Sequence, residues 1–394
     1  MANIIKTLQE VTMDNQAATA IGGDDSLTFS KFWSLTDRFA GGLQAREITA
    51  GDAIAIRLSN PRAFLIAFYG TLRNGCVPVS MPTDYHTDDI IAVLNETGCD
   101  AFVTDETPFL TILNRADETR VAITVDCDAR MGVTLSAFLD NDGMNSAGSR
   151  TGIDVVRQSD SDRGLIAYVG HDDGEPLGVT YTHAALAGAA SVGRSILERD
   201  GTQCHLGSLP LSNPLELMYG TTATILDGGT YLPHPQWDPE TVQSLCYTDR
   251  VDRTFVSPSQ YETLAALEID ADETVAVLEP TTAALEEHED AVTRLRGRPE
   301  TGLTHVRTSA TADTSPRWET VPMVESCVLE DGADGELAVS GPAVMDSYVG
   351  RPALTDETIE TNDSTRWIRT GVTGDEPALS QPGDTTNLAD SISS

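Results

Sequence analysis

The chain has 394 residues, and its 25 lysines and arginines stand against 61 aspartates and glutamates, for a formal net charge of −36. With 40% hydrophobic residues there is apolar material for two or three domain cores, which excludes wholesale disorder. So negative a surface repels nucleic acid and anionic membranes, and no stretch approaches the roughly 18 apolar residues of a membrane span.

The opening MANIIKTLQEVTMDNQ has no apolar signal core, so a cytoplasmic protein is expected. Residues 27–29 read as a strand and turn. Phe32, Leu35, Phe39 and Leu43 then recur at helical spacing over residues 31–46, with Ser30 as the expected N-cap. Asp52 to Leu58 reads as a buried strand, and Asn60-Pro61 as a helix start. The apolar run 63–73, a stop at Gly75 and a strand at 76–80 follow, then a helix at 90–96 and a strand at 101–104. Strands alternating with helices predict a parallel α/β sheet.

The polar stretch 140–162 reads as a linker. A second α/β series is expected from Leu165 to Val169 onward. It has helices at 184–198, 214–226 and from Pro239, and strands at 205–209, 230–232 and 253–256. Beyond Pro316 the pattern changes to short strands at 321–329 and 336–340, a small β unit. The six cysteines form no CxxC pair or Cys/His cluster, which argues against zinc and for reduced thiols.

Acidic pairs such as Asp24-Asp25, Asp88-Asp89 and Glu286-Glu287 are dispersed, and Lys6 and Lys31 are the only lysines. This resembles the proteins of salt-in halophilic archaea, whose carboxylates stay hydrated while salt screens their repulsion.

Four segments, in order, resemble the large N-terminal part of the ANL superfamily of acyl-CoA synthetases, adenylation domains and luciferases. They are LTFSKFWSLTDRFAGGLQAREITAGDAIAIRLSNPRAFLIAFYGTLRNGCVPVSM, VDRTFVSPSQYETL, GELAVSGPAVMDSYVGRPALTDET and WIRTG. The resemblance implies two packed α/β subdomains plus a small β-barrel-like subdomain. The expected bounds are 1–162, 163–316 and 317–374, with a polar tail at 375–394 and the family's C-terminal domain absent. It also implies ATP or AMP, Mg2+ and CoA as cofactors, and a carboxylic acyl substrate.

Several family parts are altered. The phosphate loop, Ser/Thr/Gly-rich and ending in Gly-x-Pro-Lys-Gly, matches residues 168–178. Gly174, Pro176 and Gly178 are kept and Thr182-His183 follows, but Leu177 replaces the lysine. Asp172, Asp173 and Glu175 stand where a triphosphate would lie, and one like-charge contact near 4 Å costs about 4 kcal/mol at an effective dielectric of 20. Magnesium bridging Asp172 and Asp173 to phosphate is one reading; a tight turn with solvated acids is the other.

The family's aromatic-Gly-x-Thr-Glu motif aligns with Ser309-Ala310-Thr311-Ala312-Asp313, making Asp313 the candidate catalytic and magnesium carboxylate. The Gly-Ala-Pro adenine loop becomes Glu279-Pro280-Thr281-Thr282. The ribose motif Arg-Thr-Gly-Asp becomes Arg369-Thr370-Gly371-Val372, losing two hydrogen bonds of about 1 kcal/mol each. Asn213 falls at the family's aromatic-His pair and reads as a helix cap; His205, His234, His288 and His305 read as surface or satisfied polar groups.

The expectation is a divergent, adenylation-defective pseudoenzyme with an acyl- or partner-binding cleft. One alternative is an active ligase, forming acyl-AMP and then acyl-CoA, completed by a C-terminal domain in trans. The other is a structural subunit beside an active homologue.

Overall fold

The computed structural model describes residues 3–106, 110–127, 132–140, 156–196, 203–247, 251–267, 274–280, 292–307, 318–329, 335–362 and 365–374. After an N-terminal helix at Ile4–Asp14 that buries Ile4 and Leu8, helix α1 (Phe29–Gln44) buries Phe32, Leu35, Phe39 and Leu43. The expected cap at Ser30 lies inside this helix. Thr28, extended at ψ 160°, is the cap, and its hydroxyl accepts from Lys31 N. Strand β1 (Ala53–Arg57) is buried throughout, as a parallel strand covered on both faces must be. Helix α2 (Pro61–Arg73) follows. The Asn60 side chain accepts from Ala63 N and Pro61 occupies the first turn, which fixes the start.

Strand β1 pairs in parallel with β2 (Val77–Ser80) on one side and β3 (Cys99–Thr104) on the other. The chain then returns through β4 (Arg163–Asp172), parallel to β2 at Val79↔Ile166, and β5 (Glu175–Thr182), antiparallel to β4. With Ser347–Tyr348 beyond β5, and Val121–Thr124 and Val133–Thr134 beyond β3, this sheet has eight strands.

A nine-stranded sheet is built around β6 (Cys204–Gly207), β7 (Arg253–Val256), β8 (Val275–Pro280), β9 (Thr293–Arg298) and β10 (Gly302–Arg307). Thr19–Ile21 joins it, pairing with Thr230–Pro233 at Ile21↔Tyr231. A four-stranded antiparallel sheet contains β11 (Gly335–Ser340) and β12 (Thr365–Gly374). The fold is the mixed α/β arrangement with a small β sheet that the sequence predicts.

Sheet membership does not follow the chain at residue 162. Strands β4 and β5, expected to open the second unit, complete the first sheet, while an N-terminal strand completes the second. The two sheets share one core, in which Phe39, Phe64, Tyr69, Leu186, Tyr219 and Phe255 belong to a single buried cluster. Tyr69 Oη donates to Thr222 Oγ1 at 3.0 Å within it. None of the six cysteines, all among the described residues, forms a disulfide. Among the described residues, no helix is long and apolar enough to cross a membrane.

The helix expected from Pro214 differs in kind. Residues Glu216–Thr222 are π-helical, and α-helical Ala223–Leu226 follows. The wide turn brings residues five apart together, so Thr221 Oγ1 donates to Glu216 Oε1 at 3.1 Å. Helix α3 (His183–Ile196) packs tightly against this segment, and a Cβ on Gly193 would lie 2.3 Å from the Tyr219 carbonyl oxygen. Gly193→Ala is therefore expected to destabilise the chain by about 1–3 kcal/mol. Urea unfolding checks this: the midpoint should fall with little change in slope, and an unmoved midpoint would contradict the close packing.

Candidate functional site

The carboxyl ends of parallel strands from both sheets face one another across a crevice, the usual ligand position in open α/β sheets. A cavity of about 550 Å3 lies there. Thr83, Asp84 and Tyr168 line it from the first sheet, and Asn213, Leu278 and Glu279 from the second, with Gly297 at the end of β9 and Pro299 on the turn after it.

The segment matched to the phosphate loop is a β hairpin whose register shifts once, between Tyr168 and His171. Asp172 pairs with Glu175, leaving only Asp173 and Gly174 as the turn, at φ +49° and +82°. Two left-handed residues of the Asp-Gly type are what a type I′ hairpin requires. Asp173 and Glu175 are exposed and Asp172 is half-buried. Glu175 is paired with Arg351 at 2.6 Å, and His171 with Asp89 at 3.2 Å. Pro176 is buried, and a Cβ on Gly178 would meet the Tyr168 ring at 2.9 Å, so both serve strand packing. Thr182 caps α3 through Ala185 N at 3.1 Å. His183, in the first turn of α3, is buried, and neither ring nitrogen has a hydrogen-bond partner among the described residues.

Asp313 lies outside the described residues, as do Ser309, Thr281, Thr282 and His288. Arg369 is turned to the small sheet, where it meets Glu336 at 2.7 Å and Glu360 at 3.5 Å. Val372 packs with Val328 and Leu337, so the ribose-motif position lies in the core of that sheet.

Glu279 is nearly buried and pairs with Arg294 and, at 3.5 Å, with Arg296. The Arg296 guanidinium lies 4.7 Å from the Trp318 ring centroid. The wall expected to present a small adenine loop thus carries a charged side chain and its partners. Asn213 caps locally, its Oδ1 accepting from Leu215 N at 3.0 Å. His205 is fully buried, with Nε2 2.7 Å from Glu216 Oε1, and is one of the satisfied polar groups rather than a surface one.

Glu300 is the residue the sequence reading missed. Gly297-Arg298-Pro299-Glu300 repeats the Gly-x-Thr-Glu spacing upstream of Asp313, with Arg296 in the aromatic place. Glu300 is 6% exposed. Its Oε1 accepts from Tyr348 Oη at 3.0 Å, and its Oε2 lies 3.4 Å from Arg298 Nε. The signal was a glycine three residues before a glutamate at the end of a strand; the missing aromatic concealed it.

The described residues do not fit magnesium triphosphate. No lysine or arginine lines the cavity, the phosphate turn has two residues, and the acids beside it repel phosphate. Among the described residues, no group of three or more His, Cys, Asp or Glu side chains could hold a metal ion.

Two α/β sheets enclosing a crevice, with a small β sheet beside them, define an adenylate-forming type of scaffold. The AMP-binding enzyme family model matches residues 8–296, and the chain belongs to that family. It is 25% identical over 240 residues to a long-chain-fatty-acid–CoA ligase, FadD13, of Mycobacterium tuberculosis, covering 60% of this chain but only 45% of that relative's length. A feruloyl-CoA synthase of Amycolatopsis sp is 23% identical over 396 residues, covering 92% of this chain and 74% of the relative. Among solved structures, O-succinylbenzoate coenzyme A synthetase from Bacillus subtilis in complex with AMP superposes with a TM-score of 0.74 at 18% identity, covering 93% of each chain. A long-chain-fatty-acid-CoA ligase from Archaeoglobus fulgidus gives 0.76 at 18% identity, covering 94% of this chain and 81% of that one. At such identities these structures establish the fold.

Two histidines make stability depend on pH. Burial lowers the pKa of His183, with Asp162 and Asp160 opposing. Burial, then the Arg296 charge, lowers His305 to about 4. In the unfolded chain both titrate near 6.5. The unfolded state therefore binds more protons below about 6.5, and stability falls as pH drops from there toward about 4. His183→Gln/His305→Gln is expected to flatten the fall in melting temperature between pH 7 and pH 5. An unchanged slope in the double variant would assign the pH dependence to other groups.

Proposed function

We propose that this chain is a non-adenylating member of the AMP-binding enzyme family, a pseudoenzyme whose crevice serves ligand binding or regulation in an acidic, salt-adapted cytoplasmic protein. The two-residue hairpin at Asp173-Gly174 carries this reading. A triphosphate needs several converging donors and a cation, and the turn offers neither. The Glu279 side chain and the inward-facing Val372 support the same reading at the adenine and ribose positions.

The second reading is an active acyl-adenylating ligase, using ATP, Mg2+ and CoA with a carboxylic acid and completed by a C-terminal domain in trans. The buried carboxylate of Glu300, at the retained Gly-x-x-Glu spacing next to Pro299 of the crevice lining, favours it.

ATP–pyrophosphate exchange decides between them. The purified chain in molar potassium chloride with magnesium is expected to give no exchange above a heat-inactivated control with fatty, aryl or short carboxylic acids. The same result is expected after adding a separately expressed C-terminal domain from a related ligase. Exchange dependent on an acid, with or without that domain, would replace the first reading by the second.

A further inference from the structure

The far edge of the first sheet carries a cavity away from the crevice. Strand Val121–Thr124 runs parallel to β3 at Ala101↔Val121, and the short helix Leu135–Leu139 follows the next strand. That helix is held on α1: Phe138 lies against Phe39 with ring centroids 5.0 Å apart, and a Cβ on Gly42 would meet the Phe138 ring at 2.6 Å. A cavity of about 690 Å3 lies between it and the start of α2. Leu35, Ala63, Ile66, Val125, Leu135 and Leu139 line it, and none of its described lining residues lines the crevice cavity.

One polar group in this apolar wall is incomplete. Thr124 is 1% exposed, and its Oγ1 has no hydrogen-bond partner among the described residues. Most buried hydroxyls are paired, because an unmet one keeps its desolvation cost. The cavity that Thr124 lines is where a partner can enter. Two residues on, Asp126 lines the same cavity at a left-handed φ of +52°. Its Oδ2 accepts from Asn60 Nδ2 at 2.9 Å, a neutral donor.

Asp126 also lines a neighbouring cavity of about 760 Å3, which shares Asn60 and Arg62 with the first and meets the crevice lining at Thr83. This neighbour adds four acids, Asp24, Asp25, Asp105 and Glu106, and one further cation, Arg57. Both arginines are already engaged, Arg57 with Glu106 at 3.2 Å and Arg62 with Asp25 at 3.6 Å. Asp105 accepts from Ser59 N and from the Ser59 hydroxyl, both neutral. Among the described residues these acids are too dispersed to hold a metal ion. An apolar cavity thus opens beside a negative one.

We propose that the two cavities form a second ligand site, for a primary amine with an apolar body. The body packs against the leucines and Ile66. The ammonium group sits where the cavities join, donating to Asp126 and to Thr124 Oγ1 in the negative potential of Asp24 and Asp105. A carboxylate there would meet like charges, and an alcohol would forgo the attraction. The site does not depend on whether the crevice adenylates.

Calorimetric titration of the full chain in molar potassium chloride with hexylamine, hexanol and hexanoate tests this. Hexylamine is expected to bind at least tenfold tighter than the other two. Equal or tighter binding of either, or no hexylamine binding at millimolar concentration, overturns the proposal and leaves the reading of the crevice untouched. A chain of net charge −36 also draws amines to its surface at large, so two variants locate the site. Asp126→Asn keeps an acceptor for Asn60 and a residue type that tolerates the left-handed backbone; it is expected to weaken hexylamine at least fivefold. Ser136→Trp, at an exposed position in the lining, fills the cavity mouth and is expected to abolish binding. Affinity unchanged in either variant overturns the proposal. A third readout needs no variant to fold. Cys127 lines the apolar cavity and is half-buried, as are Cys204 and Cys246 elsewhere. Hexylamine is expected to slow iodoacetamide alkylation of Cys127 at least threefold, followed by mass spectrometry, and to leave the other two unchanged. No slowing at Cys127, or equal slowing at all three, overturns the proposal.

Discussion

All three sheets meet at one turn, Arg298 to Thr301, between β9 and β10. From the first sheet, Tyr181 Oη donates to the Pro299 carbonyl at 2.6 Å, and Tyr348 Oη to Glu300 Oε1 at 3.0 Å. From the small sheet's side, Arg298 Nη1 donates to the Thr370 carbonyl at 2.6 Å, and Met345 N to the Glu300 carbonyl at 2.9 Å. These groups are largely buried, so losing one partner leaves the other unsatisfied at about 1–3 kcal/mol. Through Pro299, which lines the crevice, this turn ties the second-sheet wall to Tyr181 of the first sheet. The residue that best keeps a family spacing, Glu300, is thereby committed to holding sheets together.

Local signals in the sequence were enough for the elements and not for their assembly. The buried run of β1 and the Asn60-Pro61 start of α2 were legible because each is decided by its own residues. The place of β4 was not. Whether a strand at 163–172 pairs with Val77–Ser80 or opens a new sheet depends on a contact about ninety residues away. The π-helical turn at 216–222 was likewise hidden, since it sits in tertiary contacts, Gly193 against Tyr219 and Gly220 against His205, that no local pattern reveals. At the site, Leu177 and Val372 were readable as departures from a family pattern. Glu300 was not, because the aromatic that normally marks the motif is Arg296 and only the glycine-to-glutamate spacing remains.

The hairpin at Asp173-Gly174 shows what the departure gains physically. A long glycine- and serine-rich loop adds loop-closure entropy and has a backbone that must be satisfied by ligand or water. A two-residue turn closes β4 on β5 with Asp172 facing Glu175, and Tyr85 Oη donates to the Gly170 carbonyl beside it. The acids that would repel phosphate here have ordinary structural company: Glu175 meets Arg351, and Asp89 meets His171. The segment is internally complete as a strand pair, and a reactive loop is not.

The charge composition ties this to the whole chain. With 25 lysines and arginines against 61 anions, and only two of these cations lysines, several arginines serve as cross-ties. Arg57 holds the Thr83 carbonyl and Glu106, Arg253 holds Thr224 and the Gly193 carbonyl, and Arg298 holds Thr370. Arg294 and Arg296 hold Glu279, and Arg369 holds Glu336. A planar, permanently charged fork suits such work better than an ammonium group. The consequence falls on the crevice, whose lining among the described residues contains Asp84 and Glu279 but no lysine or arginine. A nucleotide triphosphate entering it would meet backbone, hydroxyls and carboxylates, and the cation it needs would have to be drawn from a tie that holds the fold together. Surface acidity, interior arginine ties and a crevice lined without cations are one electrostatic arrangement, and it favours ligands that bring little negative charge.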